Sequence, residues 1–115
     1  MSEESIFTKI INRQIPATIE YEDDEFIAFR DIHPRAPIHV LLVPKKPYTT
    51  LEAVDIEDAG FHARLLQTVR RLAKKLAISD NYKLIMNVGD KMQLVPHVHL
   101  HLLGGWEKPE EEADK

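Results

Sequence analysis

The chain has 115 residues, of which 43% are hydrophobic and 30% charged, and a net charge of −4. That balance fits one soluble globular domain and argues against a general nucleic-acid binder, which carries a basic footprint. The absence of cysteine removes disulfides, thiolate catalysis and cysteine-rich zinc sites, and suits a reducing cytoplasm. No apolar run reaches the roughly 18 residues of a membrane span, and the acidic start Met1-Ser2-Glu3-Glu4 lacks a signal-peptide pattern.

Ser5 is placed to cap a short helix from Ile6 to Arg13, with Ile6, Phe7, Ile10 and Ile11 as its apolar stripe and Pro16 as its stop. Ile19 to Glu22 and Phe26 to Asp31 form two strands of a hairpin across the acidic turn at Glu22 to Glu25. His33-Pro34-Arg35-Ala36-Pro37 is a rigid loop, because each proline fixes its own φ and disfavours helix before it. Ile38 to Val43 is almost continuously apolar, with His39 as the one interruption, and predicts a strand covered on both faces.

Asp55 then offers a cap for a long helix from Ile56 to Ala77. Phe61, Leu65, Val69, Leu72 and Leu76 recur at helical spacing, and Arg64, Arg70, Arg71, Lys74 and Lys75 fall mostly outside that stripe. Tyr82 to Val88 and Val95 to Leu103 are the last two predicted strands, separated by the loop at Gly89-Asp90-Lys91. The expected class is α+β: an antiparallel sheet carrying one long helix, with a short helix at the N-terminus. The folded domain should span residues 1–106. The charged stretch 107–115 should be a disordered tail.

The final strand holds the chemistry. His97, His99 and His101 alternate, so on a regular strand their imidazoles share one face at steps of about 6.6 Å. Val98, Leu100 and Leu102 then turn toward the long helix. Three charged imidazoles side by side would repel, so the row suits neutral rings around a shared partner, either a phosphate or a metal ion. Zinc would want a third ligand and carboxylates behind the imidazoles, for which Asp31 is the best candidate. The same histidines can also take up adventitious zinc. His62 falls on the polar side of the long helix and needs no function.

The run His97-Val98-His99-Leu100-His101-Leu102-Leu103 resembles the His-φ-His-φ-His-φ-φ motif of the histidine triad family. The remainder resembles its small nucleotide-binding Hint branch. The matching pieces include Ile6-Phe7, Lys9-Ile10-Ile11, Ile15-Pro16-Ala17, Tyr21-Glu22-Asp23-Asp24, Ala28-Phe29, Asp31-Ile32, Ala36-Pro37, His39, Val43-Pro44-Lys45-Lys46, Asn87, Gly89 and Leu103-Gly104-Gly105. They occur in order from about residue 5 to 105. This resemblance implies a homodimer whose two sheets join into one. It also implies hydrolysis of phosphoramidate or acyl-phosphate bonds to a purine nucleoside 5′-phosphate such as AMP or GMP, through a nucleotidyl-histidine on His99 and without a required cofactor.

Carried over by position, Asp31 holds the ribose hydroxyls, and Phe7, Ile10, Phe29, Ile32 and Leu41 wall the base and sugar. Asn87 and Gln93 contact the phosphate or leaving group. His97 and His101 flank the nucleophile, and His39 orders them from the neighbouring strand. One flanking histidine must donate a proton to the departing amine, and the sequence leaves His97 and His101 both open. His99 needs a backbone acceptor on one ring nitrogen so that the other is presented to phosphorus.

The chain departs from the branch at Met92-Gln93-Leu94, where Gly-Gln-Ser or Gly-Gln-Thr is usual, and its loop is about one residue shorter. Met92 forgoes glycine's freedom, and Leu94 forgoes a hydroxyl. Either Leu94 faces the core of a reshaped loop, or the nucleotide site lacks one donor, a loss worth on the order of a hundredfold in rate. Trp106 also replaces the usual Arg after Gly-Gly. Three alternatives to the hydrolase stay open: a nucleotide-binding regulatory protein with little catalysis, a dinucleoside polyphosphate hydrolase, and a metal protein.

Overall fold

In the computed structural model, residues 4–109 are described. The chain runs α1 (Ile6–Ile11), β1 (Ile19–Glu22), β2 (Phe26–Arg30), β3 (Ile38–Pro44), a 3₁₀ turn (Leu51–Ala53), α2 (Ala59–Lys75), β4 (Tyr82–Ile85) and β5 (Leu100–Gly104). The strands form one antiparallel sheet in the order β1-β2-β3-β5-β4, so the last strand lies inside the sheet beside β3. The fold is the expected α+β arrangement. Among the described residues, no helix is long and apolar enough to cross a membrane. Residues 110–115 of the predicted tail lie outside the described residues.

Alternation divides the sheet into two packed faces. Phe26, Ala28, Val40, Leu42, Leu100 and Leu102 pack with Phe61, Leu65, Val69 and Leu72 of α2 in the larger core. The opposite face is smaller. Ile27, Phe29, Leu41 and Val43 bury against Phe7 and Ile10 of α1. A six-residue helix is too short to persist alone, so this contact is what holds α1 in place. It also puts α1 on the face of the sheet that carries His39 and His101.

Several boundaries differ from the sequence expectation, each for a local reason. Asp55 does not cap α2. Its carboxylate accepts from the Glu57 N–H in a turn, while Asp58 accepts from the Phe61 N–H at 3.0 Å, so the helix starts at Ala59. Ile56, expected inside the helix, is exposed. Both helices stop early in Schellman-type ends. At α1 the Gln14 and Arg13 N–H groups return to the Lys9 and Ile10 carbonyls. At α2, Ile78 and Ala77 return to Ala73 and Lys74 in the same way. The left-handed positions are Arg13 (φ 62°) and Ala77 (φ 58°) rather than glycine, so Pro16 has no part in ending α1.

β4 ends at Ile85 rather than Val88, and β5 starts at Leu100 rather than Val95. Before Leu100 the chain leaves the ladder. The Val98 N–H donates to the Tyr48 carbonyl, and the Pro44 carbonyl accepts from the His97 ring. The three histidines therefore do not lie along one regular strand; only His101 belongs to β5. Past β5, Gly105 turns the chain at φ 85°, where a Cβ would sit 3.2 Å from Ile38.

Candidate active site

A cavity of about 600 Å³ opens beside α1. It is lined by Phe7, Ile10, Phe29, Asp31, Ile32, Leu41, Asn87, Met92, Leu94, His99 and His101, all expected from the sequence. Ile6, Ile15, Pro16, Ala17, Arg30, His33, Arg35 and Val95 also contribute and were not expected. The volume is in the range of small-molecule sites. Three expected residues do not line it: His39, His97 and Gln93.

The hydrogen bonds fix where the protons sit. His99 Nδ1 lies 2.7 Å from the His97 carbonyl. A carbonyl only accepts, so Nδ1 carries the hydrogen and Nε2 keeps its lone pair in the neutral ring. Phe7 packs edge-on against that ring, with centroids 4.9 Å apart. The nitrogen left without a partner among the described residues belongs to a residue that lines the cavity.

The same logic runs through the second pair. The Arg35 N–H donates to His39 Nδ1 at 3.1 Å, so the neutral His39 is protonated at Nε2. That N–H faces His101 Nδ1 at 2.9 Å, with the Asp31 carboxylate at 3.5 Å. His101 must accept there, which leaves its own hydrogen on Nε2. Its ring centroid is 5.1 Å from that of His99. Burial pushes His101 down to about 4, with His99, His39 and Arg35 adding to the effect and Asp31 opposing it. Burial also lowers His39, with Asp31 opposing, so its contact with Asp31 joins a carboxylate to a neutral ring. The site thus presents a lone pair at His99 and a donor at His101.

His97 has a different place. It is 1% exposed and both of its nitrogens are occupied: Nε2 donates to the Pro44 carbonyl at 2.8 Å, and Nδ1 meets Ser5 Oγ at 2.9 Å. Burial lowers its proton affinity, with the Pro44 bond opposing and His99 adding. It is a post that carries the carbonyl under His99. The sequence marks Ser5 only as a helix cap, and its bond to a residue 92 positions away leaves no trace in local sequence pattern.

Gln93 is turned away from the cavity. Its side-chain oxygen accepts from the Gly89 N–H, and its amide donates to the Thr49 and Val95 carbonyls, so it braces the loop. Leu94 is 99% exposed at the cavity rim, which removes the possibility that it faces the core. Met92 is also exposed there, and Asn87 is the remaining polar side chain from this loop on the cavity wall. Asp31 Oδ1 accepts from the His33 N–H, which fixes the carboxylate at the mouth. Trp106 is half-buried and does not line the cavity.

Asp31, His39 and His101 bring potential metal-ligand atoms within 4.8 Å of one another. The Arg35 N–H complicates that use. It holds the neutral His39 in the tautomer whose Nε2, the nitrogen nearest the others, is already protonated. A metal ion there would have to displace this hydrogen and break the bond between the rings.

Comparison with known proteins agrees with this architecture. The model of the HIT domain family matches residues 12–108. An uncharacterized HIT-like protein of Synechocystis sp. is 49% identical over 106 residues, covering 91% of this chain and 93% of that protein. The purine nucleoside phosphoramidase of Escherichia coli is 44% identical over 107 residues, covering 91% and 90%. The crystal structure of a HIT family hydrolase from Legionella pneumophila superposes with a TM-score of 0.84 at 39% identity, covering 96% of this chain and all of that one. With the triad, the sheet order and the cavity in place, the chain belongs to the HIT family of hydrolases.

Proposed function

We propose that the protein hydrolyses the P–N bond of purine nucleoside 5′-phosphoramidates, and the related acyl-phosphate bond, through a nucleotidyl intermediate on His99. The observation that carries this reading is the free Nε2 of His99 in a cavity that also holds Asp31. The name of the Escherichia coli relative points to the same chemistry.

Asp31 accepts the ribose hydroxyls, and Phe7, Ile10, Phe29, Ile32 and Leu41 enclose the nucleoside. His99 Nε2 attacks the α-phosphorus and the P–N bond breaks. The amine leaves with a proton taken up from solvent, and His101 Nε2–H, which the neutral ring lends as a hydrogen bond without giving it up, is the group placed to face the departing nitrogen. His97 has no free nitrogen for that task. His39 behind His101 holds the ring in its donating tautomer. Water then attacks phosphorus and releases one proton to solvent, the P–His99 bond breaks to return the neutral ring, and the nucleoside monophosphate departs. Charge on the phosphate oxygens is met by His101 and Asn87.

The reading includes a homodimer joined along β4. That strand is an outer edge with Leu84 partly exposed, whereas the opposite edge strand β1 carries Glu20 and Glu22 in ion pairs with Arg30, Arg13 and Lys45. A second functional reading, a nucleotide-binding protein with little turnover, draws on Leu94 and on Gln93 being committed to the loop. One experiment separates them. On mixing with adenosine 5′-phosphoramidate, the hydrolase shows amine release and a nucleotidyl adduct on the His99 peptide. His99→Ala abolishes both while AMP binding persists. Equal turnover in wild type and variant overturns the hydrolase mechanism. No adduct and no release in either supports the binding protein.

A further inference from the structure

The geometry points to Ser5 as a positioning residue for His99, acting through His97. The inference rests on His99 being the nucleophile, and it starts from the saturated hydrogen-bonding of His97. That ring is buried, and its Nε2–H is committed to the Pro44 carbonyl at 2.8 Å. Its Nδ1 can then only accept in the neutral ring, so Ser5 Oγ donates across the 2.9 Å contact. The same oxygen accepts from the Thr8 N–H at 3.1 Å and caps α1. One hydroxyl thus serves a helix and an imidazole at once. Thr8 Oγ1 stands 3.2 Å from Ser5 Oγ and 3.4 Å from His97 Nδ1, a longer second contact on the same side.

The chain of contacts continues to the nucleophile. The His97 carbonyl accepts the His99 Nδ1–H at 2.7 Å, the bond that sets the His99 tautomer and aims its ring. Phe7 lies two residues beyond Ser5 on α1 and touches both rings edge-on, with centroids 5.9 Å from His97 and 4.9 Å from His99. Losing the Ser5 bond leaves the His97 ring held by Pro44 and the longer Thr8 contact alone, so the ring, and the carbonyl of the same residue, are less firmly placed. Errors of this kind in the aim of a reacting group cost rate rather than ground-state binding.

A plain helix cap predicts something different, and the variants separate the two. Ser5→Asp keeps an acceptor for the Thr8 N–H but, ionised, cannot donate to His97. Ser5→Thr keeps both roles. Ser5→Ala keeps neither. We expect kcat for an adenosine phosphoramidate to fall about tenfold in Ser5→Ala and Ser5→Asp, with KM within about twofold, and Ser5→Thr to return most of the loss. Nitrogen-15 spectra of the imidazoles, which do not depend on turnover, should show His99 protonated at Nδ1 in wild type and Ser5→Thr. In Ser5→Asp that tautomer should be mixed or exchange-broadened while circular dichroism shows the fold retained. Wild-type kcat and an unchanged His99 spectrum in Ser5→Asp would overturn the inference. So would a folded Ser5→Thr that fails as Ser5→Ala does. If no phosphoramidate is turned over even by wild type, the hydrolase reading fails, and the His99 spectrum still decides the role of Ser5.

Discussion

Acid should destabilise this protein well above the range in which carboxylates titrate, and His101 sets the scale. In the unfolded chain its imidazole takes up a proton near the ordinary value of 6.5; in the folded protein burial delays that to about 4. Between those values the unfolded state holds more protons, so stability falls as pH falls. Above 6.5 the group is neutral in both states and contributes no slope. The full gap corresponds to about 3 kcal/mol, of which about 2 kcal/mol is already lost at pH 5. His97 and His39 are lowered in the same direction and steepen the fall. Against a typical domain stability of about 5–15 kcal/mol this is a large share. Urea unfolding at pH 7 and pH 5 measures it, with the midpoint moving and the slope constant. His101→Asn keeps an acceptor for the His39 Nε2–H but cannot titrate, so it should remove about 2 kcal/mol of the difference. A midpoint unchanged between pH 7 and 5, or the same pH slope in the variant, would refute the reasoning.

Three further outcomes are expected. Leu94→Ser puts a hydroxyl at an exposed rim position of the cavity and should raise kcat/KM for a phosphoramidate by about tenfold or more, read by amine release. Asp31→Asn preserves the acceptor for the His33 N–H but removes the charge. It should weaken AMP binding about tenfold by calorimetry, with a much smaller change for a nucleotide lacking both ribose hydroxyls. Asp58→Ala should cost about 1 kcal/mol in thermal or urea unfolding, and Asp55→Ala distinctly less, because Asp58 caps α2.

The layering and the cavity wall were legible because they follow periodicity and an ordered set of motif residues. The stripe from Phe61 to Leu72 places α2, and the apolar run in β3 reports burial on both faces. Helix ends were harder. Reading them from sequence relies on glycine at the left-handed position, and here Arg13 and Ala77 occupy it. Asp55 and Asp58 are equally good caps by composition; only the three-residue reach to Phe61 separates them. Within the site, strict alternation puts three histidines on one face. It could not show that the Pro44 carbonyl would take the His97 ring, nor that Gln93 would brace its own loop. Those bonds join residues far apart in the chain or depend on a loop conformation that no short pattern encodes.

The bond from the Arg35 N–H to His39 has a consequence for ligand design. Since backbone dictates the tautomers, the cavity shows a fixed polarity before anything enters it: acceptor at His99 Nε2, donor at His101 Nε2, on rings 5.1 Å apart. An inhibitor that offers a donor to the first and an acceptor to the second meets both without asking either ring to reorganise. The mirror-image pairing would have to overturn two backbone hydrogen bonds. Compounds of matched shape but reversed polarity should therefore separate sharply in affinity.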